Sequence, residues 1–146
     1  MKKRAFFFSL CLLLNQAIMA QTAQTGIVGT WETIDDGTGE AKSHIEITEK
    51  DGKYFGTIKQ LLKSSPDKTC DACPGEKKNK PLVGMVLLEN LEPYKDYYSY
   101  GKILDPESGK VYKCSVWVDN PDQLIVRGYI GFSALGRSQN WHRVKN

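Results

Sequence analysis

Apolar residues at every second position, in short runs that end at turn residues, favour β-structure over helix in this sequence. In the run 42–48, Ile45 and Ile47 alternate with polar residues, which places both isoleucines on one face of a strand. The Asp51-Gly52 pair that follows is typical of a β-hairpin turn, because such turns need residues that accept a positive φ. Nowhere does the sequence show the longer apolar stripe of an amphipathic helix.

The same pattern predicts a set of about eight strands. They span 29–34, 42–48, 54–62, 82–88, 97–104, 111–118, 124–130 and 138–144. Closely spaced strands in a chain of this size form a sandwich or a barrel, and closure into a barrel removes the unpaired edges. We therefore predict an all-β fold, a small antiparallel β-barrel of about eight strands.

A basic N-terminus and an apolar run predict export. Lys2, Lys3 and Arg4 precede the apolar segment 5–14, as in a secretory signal peptide, and Ala20 is a small residue at a suitable cleavage position. We predict a signal peptide at 1–20 and a single domain at 21–146, in a periplasmic or secreted protein. The apolar segment is shorter than the roughly 20 residues of a membrane-spanning helix, so no stable membrane insertion is expected.

The net charge of +3 belongs entirely to this leader. Removing residues 1–20 takes away three of the 20 basic residues and none of the 17 acidic ones, which leaves 17 of each. A nucleic-acid partner requires an excess of basic residues, so the sequence predicts none. A local basic patch remains at Lys77, Lys78 and Lys80.

The cysteines that follow the leader number three, so an oxidising compartment would leave one pair and one free thiol. The spacing of Cys70 and Cys73 allows a disulfide that closes a very small loop. Cys114 lies in a predicted strand, where a buried thiol behaves as a small apolar residue. There are two alternatives. One is a thioredoxin-type redox site at Cys70 and Cys73, and the other is a zinc site in which the three cysteines are joined by His44 or His142. Both lack their usual framework in the sequence, and we predict no metal and no cofactor.

Candidate catalytic groups are few. Adjacent Asp35 and Asp36 are the carboxylates that a hydrolase of cell-envelope carbohydrate or peptide would use as acid and base, and Asp105 is a third candidate. An Asp before Gly and Thr is also typical of a turn in which the carboxylate accepts backbone N–H groups. No serine lies in a Gly-X-Ser-X-Gly motif. We predict no catalytic residue.

Tyrosines suggest a binding surface. Four of them fall within residues 94–100, and two more lie in later predicted strands. Such amphipathic rings suit a carbohydrate or a small apolar ligand. The predicted ligand-binding residues are Tyr98, Tyr100, Tyr112 and Tyr129.

Motifs along the whole domain resemble a known family. They comprise Gly29-Thr30-Trp31, Thr33-Ile34-Asp35-Asp36, Asp67 with Cys70-Asp71-Ala72-Cys73, Lys80-Pro81-Leu82-Val83-Gly84-Met85, Gly101-Lys102-Ile103-Leu104-Asp105-Pro106, Gly109-Lys110-Val111-Tyr112, Val126-Arg127-Gly128-Tyr129-Ile130-Gly131, Leu135-Gly136-Arg137 and Trp141-His142-Arg143. From Gly29 to Arg143 the sequence resembles the exported bacterial family called domain of unknown function 2147. The resemblance implies an exported domain without an assigned activity, and it supplies no catalytic residues. Cys114 lies outside the family pattern, which favours Cys70–Cys73 as the disulfide.

A looser similarity is to the lipocalin and calycin barrels, which begin with Gly-X-Trp and place a late arginine against the tryptophan. Gly29 and Trp31 stand at the start of this domain, and Arg137 or Arg143 stands near its end. The resemblance implies that Trp31 closes one end of the barrel beneath a guanidinium. From the two resemblances together, we predict a structural role for seven residues: Gly29, Trp31, Asp35, Asp105, Arg137, Trp141 and Arg143.

Together these observations predict an exported envelope β-barrel of uncharacterised activity that binds an unknown small molecule or envelope protein without catalysis. An eight-stranded barrel has an interior that can hold one small ligand. Two alternatives remain. One is a hydrolase that uses Asp35, Asp36 or Asp105. The other is a structural or stress-related envelope protein that interacts through loop 63–80, because loops of that length in compact domains are often functional.

Overall fold

The computed structural model describes residues 26–145, and they form one closed antiparallel barrel. The strands are β1 Gly29–Ile34, β2 Ala41–Lys50, β3 Lys53–Leu61, β4 Val86–Tyr94, β5 Tyr97–Leu104, β6 Val111–Asn120, β7 Gln123–Tyr129 and β8 Arg137–Arg143. Two short 3₁₀ turns occupy Gly75–Lys77 and Ser133–Leu135. Each strand pairs with the next, and β8 pairs with β1, which confirms the predicted eight-stranded β-barrel. The predicted signal peptide at 1–20 lies outside the described residues.

Alternation of side chains along the strands builds the core. In β2, Ser43, Ile45 and Ile47 are buried while their neighbours are half-buried or exposed. The hairpin turn after β2 has positive φ at both Asp51 and Gly52, as the sequence predicted. Across the described residues, no helix has the length and apolar character needed to cross a membrane.

The one strand whose limits differ markedly from the prediction is β4, which spans Val86–Tyr94 rather than 82–88. Leu82 and Met85 are buried in the bend before the strand, so the first four residues of the apolar run that suggested a strand belong to a turn. Within β4, Asn90 has a φ of 56°, and both Leu88 and Leu91 are fully buried three positions apart. A bulge of this kind breaks the two-residue period, which hides the strand from pattern analysis.

The interior is filled with apolar side chains towards the end of the barrel where β1 begins, here called the Trp31 end. Fully buried members include Trp31, Ile45, Ile47, Ile58, Leu88, Leu91, Cys114, Val116 and Leu124. The indole N–H of Trp31 donates to the carbonyl oxygen of Ile27 at 2.8 Å. Arg143, at the end of β8, lies with its guanidinium carbon 4.1 Å from the centre of the Trp31 ring. Arg143 rather than Arg137 therefore covers the tryptophan.

At the opposite end of the barrel, the turns that begin at Asp35 and Asp105 have the same hydrogen-bond arrangement. In the first, the Asp35 carboxylate accepts the N–H groups of Gly37 and Thr38. In the second, the Asp105 carboxylate accepts the N–H of Glu107 and the Ser108 hydroxyl. In both turns the last glycine has a φ of 72° and donates its N–H to the carbonyl oxygen of the aspartate.

Segment 62–85 packs against the outside of the barrel. A disulfide joins Cys70 to Cys73, as predicted, and both cysteines are buried. They share a cluster with Leu87 and Leu104, which point away from the interior because their neighbours Leu88 and Ile103 face it. The disulfide segment is thus a cover over the outer face of β4 and β5.

Candidate functional site

The four tyrosines predicted to bind a ligand lie on two sides of the barrel wall. Tyr98 is inside, where its ring meets that of Tyr54 edge-on at 4.9 Å. Tyr112 also faces inward, because it lies directly opposite Ile103 on β5, which faces the interior. Tyr100 and Tyr129 are outside, and Tyr100 is 64% exposed. The structure therefore divides the predicted set and does not bring it into one site.

A cluster of tyrosines covers the outer face instead. Tyr94 contacts Tyr97 and Tyr100 in edge-to-face geometry, with ring centres 5.3 and 5.5 Å apart. Edge-to-face contacts of this kind fix the orientation of the rings. Partial desolvation, together with nearby Tyr94, Tyr100, Tyr129 and Asp96, raises the pKa of Tyr97.

Beside this cluster, the outer surface of β5, β6 and β7 forms an open groove of about 350 Å³, here called the aromatic groove. The residues that line it include Asp96, Tyr97, Ser115, Trp117, Arg127 and Ser133. Ser115 is only 7% exposed, and its hydroxyl shares a hydrogen bond with that of Ser99. Trp117 lies on the outer side because its neighbours Val116 and Val118 pack into the core. The groove thus has a small polar floor, with aromatic rings and the polar residues Arg127 and Ser133 around it.

Arg127 holds one wall of the groove in place. Its Nε donates to the carbonyl oxygen of Ser133 at 2.7 Å, and its Nη2 donates to that of Ala134 at 3.2 Å. Its Nη1 donates to the hydroxyl of Ser138 at 2.9 Å. Two guanidinium nitrogens therefore bond to the β7–β8 connection and the third bonds to β8, so this wall is formed without a ligand.

The remaining polar groups of the groove are uncommitted within the described chain. The Asp96 carboxylate makes no hydrogen bond or ion pair to any residue from 26 to 145, and the same holds for the Trp117 indole N–H. Both groups belong to residues that line the groove, one an acceptor and the other a donor. The groove can therefore offer both kinds of hydrogen bond to a ligand.

The carboxylates proposed for catalysis have structural partners. Hydrogen bonds from the Thr38 and Gly37 backbones hold the pKa of Asp35 below its usual value. Asp36 accepts hydrogen bonds from Arg137 at 3.0 Å and from Gln139 at 2.8 Å. Asp105 anchors its own turn. A general acid needs a raised pKa, so the direction of the shift at Asp35 is the wrong one for that role.

The histidines and cysteines of residues 26–145 do not lie together in a metal site. His44 lies 3.2 Å from Glu32 on neighbouring strands, while His142 is exposed on β8. Cys114 is buried and free, and burial raises the pKa of its thiol to about 12. Within residues 26–145, no group of three His, Cys, Asp or Glu side chains is arranged to hold a metal ion.

A second cleft lies beside the disulfide segment. It has a volume of about 410 Å³ between the turn 74–77 and the outer faces of β4, β5 and β6. Its floor is apolar, with Leu87, Leu104 and Val111. Lys77 fixes its wall, because its ammonium group donates to the Val86 carbonyl oxygen at 2.8 Å and contacts the Glu89 carboxylate.

Sequence reasoning missed Trp117 and Arg127. The signal for Trp117 was present, because the alternation of Cys114, Val116 and Val118 towards the core predicts that Trp117 points outward. A large aromatic residue on the polar face of a strand is worth attention as a binding residue. The signal for Arg127 was absent, since its partners lie in the connection after its own strand and at the start of β8.

Comparisons with known proteins agree with the fold. The solved structure of protein HP1028 from the human pathogen Helicobacter pylori, described as belonging to the lipocalin family, superposes with a TM-score of 0.74. The match covers 84% of this chain and 85% of that one, at 22% sequence identity. Among curated proteins none matches the sequence. Residues 29–143 match a family of uncharacterized proteins conserved in bacteria, so the chain belongs to the domain of unknown function 2147 family.

Proposed function

We propose that this protein is exported and binds a small ligand, without catalysis, in the aromatic groove. The observation that carries the proposal is a preformed concavity with Tyr97 and Trp117 in its lining and a donor and an acceptor not used by the described chain. Its volume of about 350 Å³ falls at the small end of the range of ligand pockets, about 300–1,000 Å³.

Export is supported by the leader and by the cysteines. The sequence begins with the basic and apolar segments of a signal peptide. A disulfide between Cys70 and Cys73 is consistent with an oxidising compartment such as the periplasm. Expression of the full chain in a bacterium should give a protein in the periplasmic or culture fraction whose N-terminus lies near Gln21. Retention of residues 1–20 in a cytoplasmic protein would contradict export.

The barrel interior is a less favourable place for the ligand. Trp31 and Trp141 are at most 2% exposed, and apolar side chains fill the barrel around them. The cavities of about 350 and 410 Å³ lie on the outer surface. A ligand in the groove would therefore contact Trp117 and leave the other two tryptophans unchanged.

That difference gives a direct experiment. The chain has three tryptophans, so a ¹⁵N-labelled sample gives three indole N–H signals, and Trp117→Phe identifies the one from Trp117. We expect the low-molecular-mass fraction of a bacterial envelope extract to shift the Trp117 signal only. A shift confined to Trp31 or Trp141 would place the ligand inside the barrel, and the absence of any shift would overturn the binding proposal.

A second candidate is interaction with an envelope protein through loop 63–80. The observation that favours it is the second cleft, whose wall is held rigid by the disulfide and by Lys77. Val111 at its floor is 47% exposed. If this cleft is the contact surface, Val111→Glu should abolish cross-linking to the partner in envelope preparations, whereas Trp117→Phe should not. Unchanged cross-linking in Val111→Glu would eliminate this candidate.

A further inference from the structure

The aromatic groove carries both signs of charge on its lining, and this restricts the ligands it can take. Asp96 contributes a carboxylate and Arg127 a guanidinium. An anion such as phosphate would meet Asp96, and it would find the nitrogens of Arg127 already bonded to Ser133, Ala134 and Ser138. A cation would meet the positive charge of Arg127. An anion would therefore lose hydration without gaining a free counter-charge, whereas a cation would gain the Asp96 carboxylate only beside the positive charge of Arg127.

The neutral groups of the groove point to a ligand with hydroxyl groups and a flat apolar face. Tyr97 and Trp117 are amphipathic rings that bind apolar surface while offering a polar edge. The Tyr97 hydroxyl is protonated at neutral pH, as tyrosine ordinarily is, and can donate a hydrogen bond. With the Trp117 indole N–H as donor and the Asp96 carboxylate as acceptor, the site can bond hydroxyls as both donor and acceptor.

Resting on the proposed function, we infer that the ligand is a neutral carbohydrate, with a pyranose face on Trp117 or Tyr97 and hydroxyl groups bonded to Asp96. A sugar ring combines an apolar C–H face with a rim of hydroxyls, which is the combination that this lining matches. The open shape of the groove on the barrel exterior also allows a longer glycan to pass through it, with one or two rings seated at a time.

Both sides of the groove are held in place before a ligand binds. Two bonds from Arg127 fix the Ser133–Leu135 turn, a third joins Arg127 to Ser138 on β8, and the Tyr94 contact fixes the Tyr97 ring. Preorganised groups lose little conformational freedom on binding, so modest contacts are sufficient for measurable affinity.

The test is a titration of the exported, disulfide-intact protein, with the Trp117 indole signal as reporter. The probes are chitotriose, cellobiose and maltotriose as neutral sugars, choline as a cation and inorganic phosphate as an anion. We expect at least one neutral sugar to shift the Trp117 signal to saturation, and choline and phosphate to leave it in place.

Variants separate the groove from the rest of the outer face. Tyr97→Leu should weaken the sugar about tenfold, the loss of roughly 1.4 kcal/mol that one aromatic contact supplies. Asp96→Asn should also weaken it, whereas Val111→Glu, which alters the second cleft and no residue of the groove, should leave the affinity unchanged. Equal affinity in Tyr97→Leu and the unmodified protein would overturn the inference.

The outcomes also distinguish the inference from the proposed function. If the envelope extract shifts the Trp117 signal but none of the three sugars does, the carbohydrate inference is wrong and the groove remains a binding site for another ligand. A shift caused by choline or phosphate alone would replace the sugar with a charged ligand. If neither extract nor sugar has an effect, both proposals fail.

Discussion

Arg143 joins the two ends of the described chain around a single tryptophan. Its guanidinium covers the Trp31 ring and donates to the carbonyl oxygens of Pro121, Val28 and Gly26 at 2.7, 3.1 and 2.8 Å. The planar fork of an arginine can make all these contacts at once, which a lysine cannot. The residue thus ties the start of β1, the β6–β7 turn and the end of β8 together.

Arg143→Met should therefore destabilise the barrel by about 2–4 kcal/mol. The variant keeps the apolar stem but loses the charge-assisted hydrogen bonds and the cation–π contact. The measurement is the free energy of unfolding in urea. Arg137→Met is the matched control, because Arg137 is 83% exposed in its side chain and its ion pair with Asp36 should contribute less than 1 kcal/mol. Similar losses in both variants would contradict the role assigned to Arg143.

Burial makes the Cys114 thiol unreactive in the folded protein. It is fully buried, and burial raises the pKa of its thiol from 9.0 to about 12. The reactive thiolate is therefore absent at pH 8. Iodoacetamide should label no cysteine in the folded protein prepared without residues 1–20, and one cysteine after denaturation without reductant. Two or more labels before reduction would contradict the Cys70–Cys73 disulfide.

The same thiol should make stability fall at high pH. Unfolding returns the thiol to its ordinary pKa, so above pH 9 the unfolded chain releases a proton that the folded chain retains. The buried, protonated thiol contributes its full stabilisation below pH 9. Between pH 9 and the pKa of about 12 in the folded protein, this stabilisation decreases by about 1.4 kcal/mol for each pH unit. Urea unfolding at pH 8 and pH 10 measures the change, and Cys114→Ala should show a smaller decrease than the unmodified protein.

At the scale of elements, the two aspartate turns provide a matched pair. Gly39 and Gly109 both have a φ of 72° and occupy the same position in their turns. A Cβ on Gly39 meets nothing within 4 Å, whereas a Cβ on Gly109 overlaps the carbonyl oxygen of Ala72 in the disulfide segment. The second turn is therefore also the support on which that segment rests.

Alanine substitutions should separate the two roles. Gly39→Ala should cost about 1–2 kcal/mol, because an L-residue is strained in the left-handed conformation. Gly109→Ala should cost about 1–3 kcal/mol more, since the overlap must be relieved by displacing the disulfide segment. Urea unfolding measures both values, and faster proteolysis within residues 63–80 should accompany only Gly109→Ala. Equal costs would mean that the segment does not depend on the turn.

The sequence predicts elements where side chains alternate regularly and misplaces them where the backbone departs from that period. Strand β5 was predicted with the correct limits, and β1 likewise. Strand β4 was misplaced because the bulge at Asn90 puts Leu88 and Leu91 on the same side. The aromatic groove could not be predicted, because its lining comes from three neighbouring strands and two turns, and the pattern along one strand does not show which outward side chains of the next strand lie beside it.

At the scale of the whole molecule, closure of the barrel depends on its shortest ladder. Strands β1 and β8 pair at Trp31 with Arg143 and at Glu32 with His142. Few backbone bonds hold this seam, yet it lies over two large side chains, Trp31 at 0% and Trp141 at 2% exposure. The seam is therefore held mainly by burial of aromatic surface.

Opening the seam alone should be too costly to produce an intermediate. Exposing two indole side chains of about 200 Å² each, at about 25 cal/mol per Å², costs about 10 kcal/mol, which is comparable with the whole stability of a small domain. In Trp117→Phe the remaining tryptophans, Trp31 and Trp141, both report on the seam. Their fluorescence and the far-UV circular dichroism of all strands should therefore show one common midpoint in urea. A fluorescence transition at lower urea would reveal a barrel that opens at β1 and β8 before its other strands separate, and it would show that the aromatic surface buried there contributes less than its area implies.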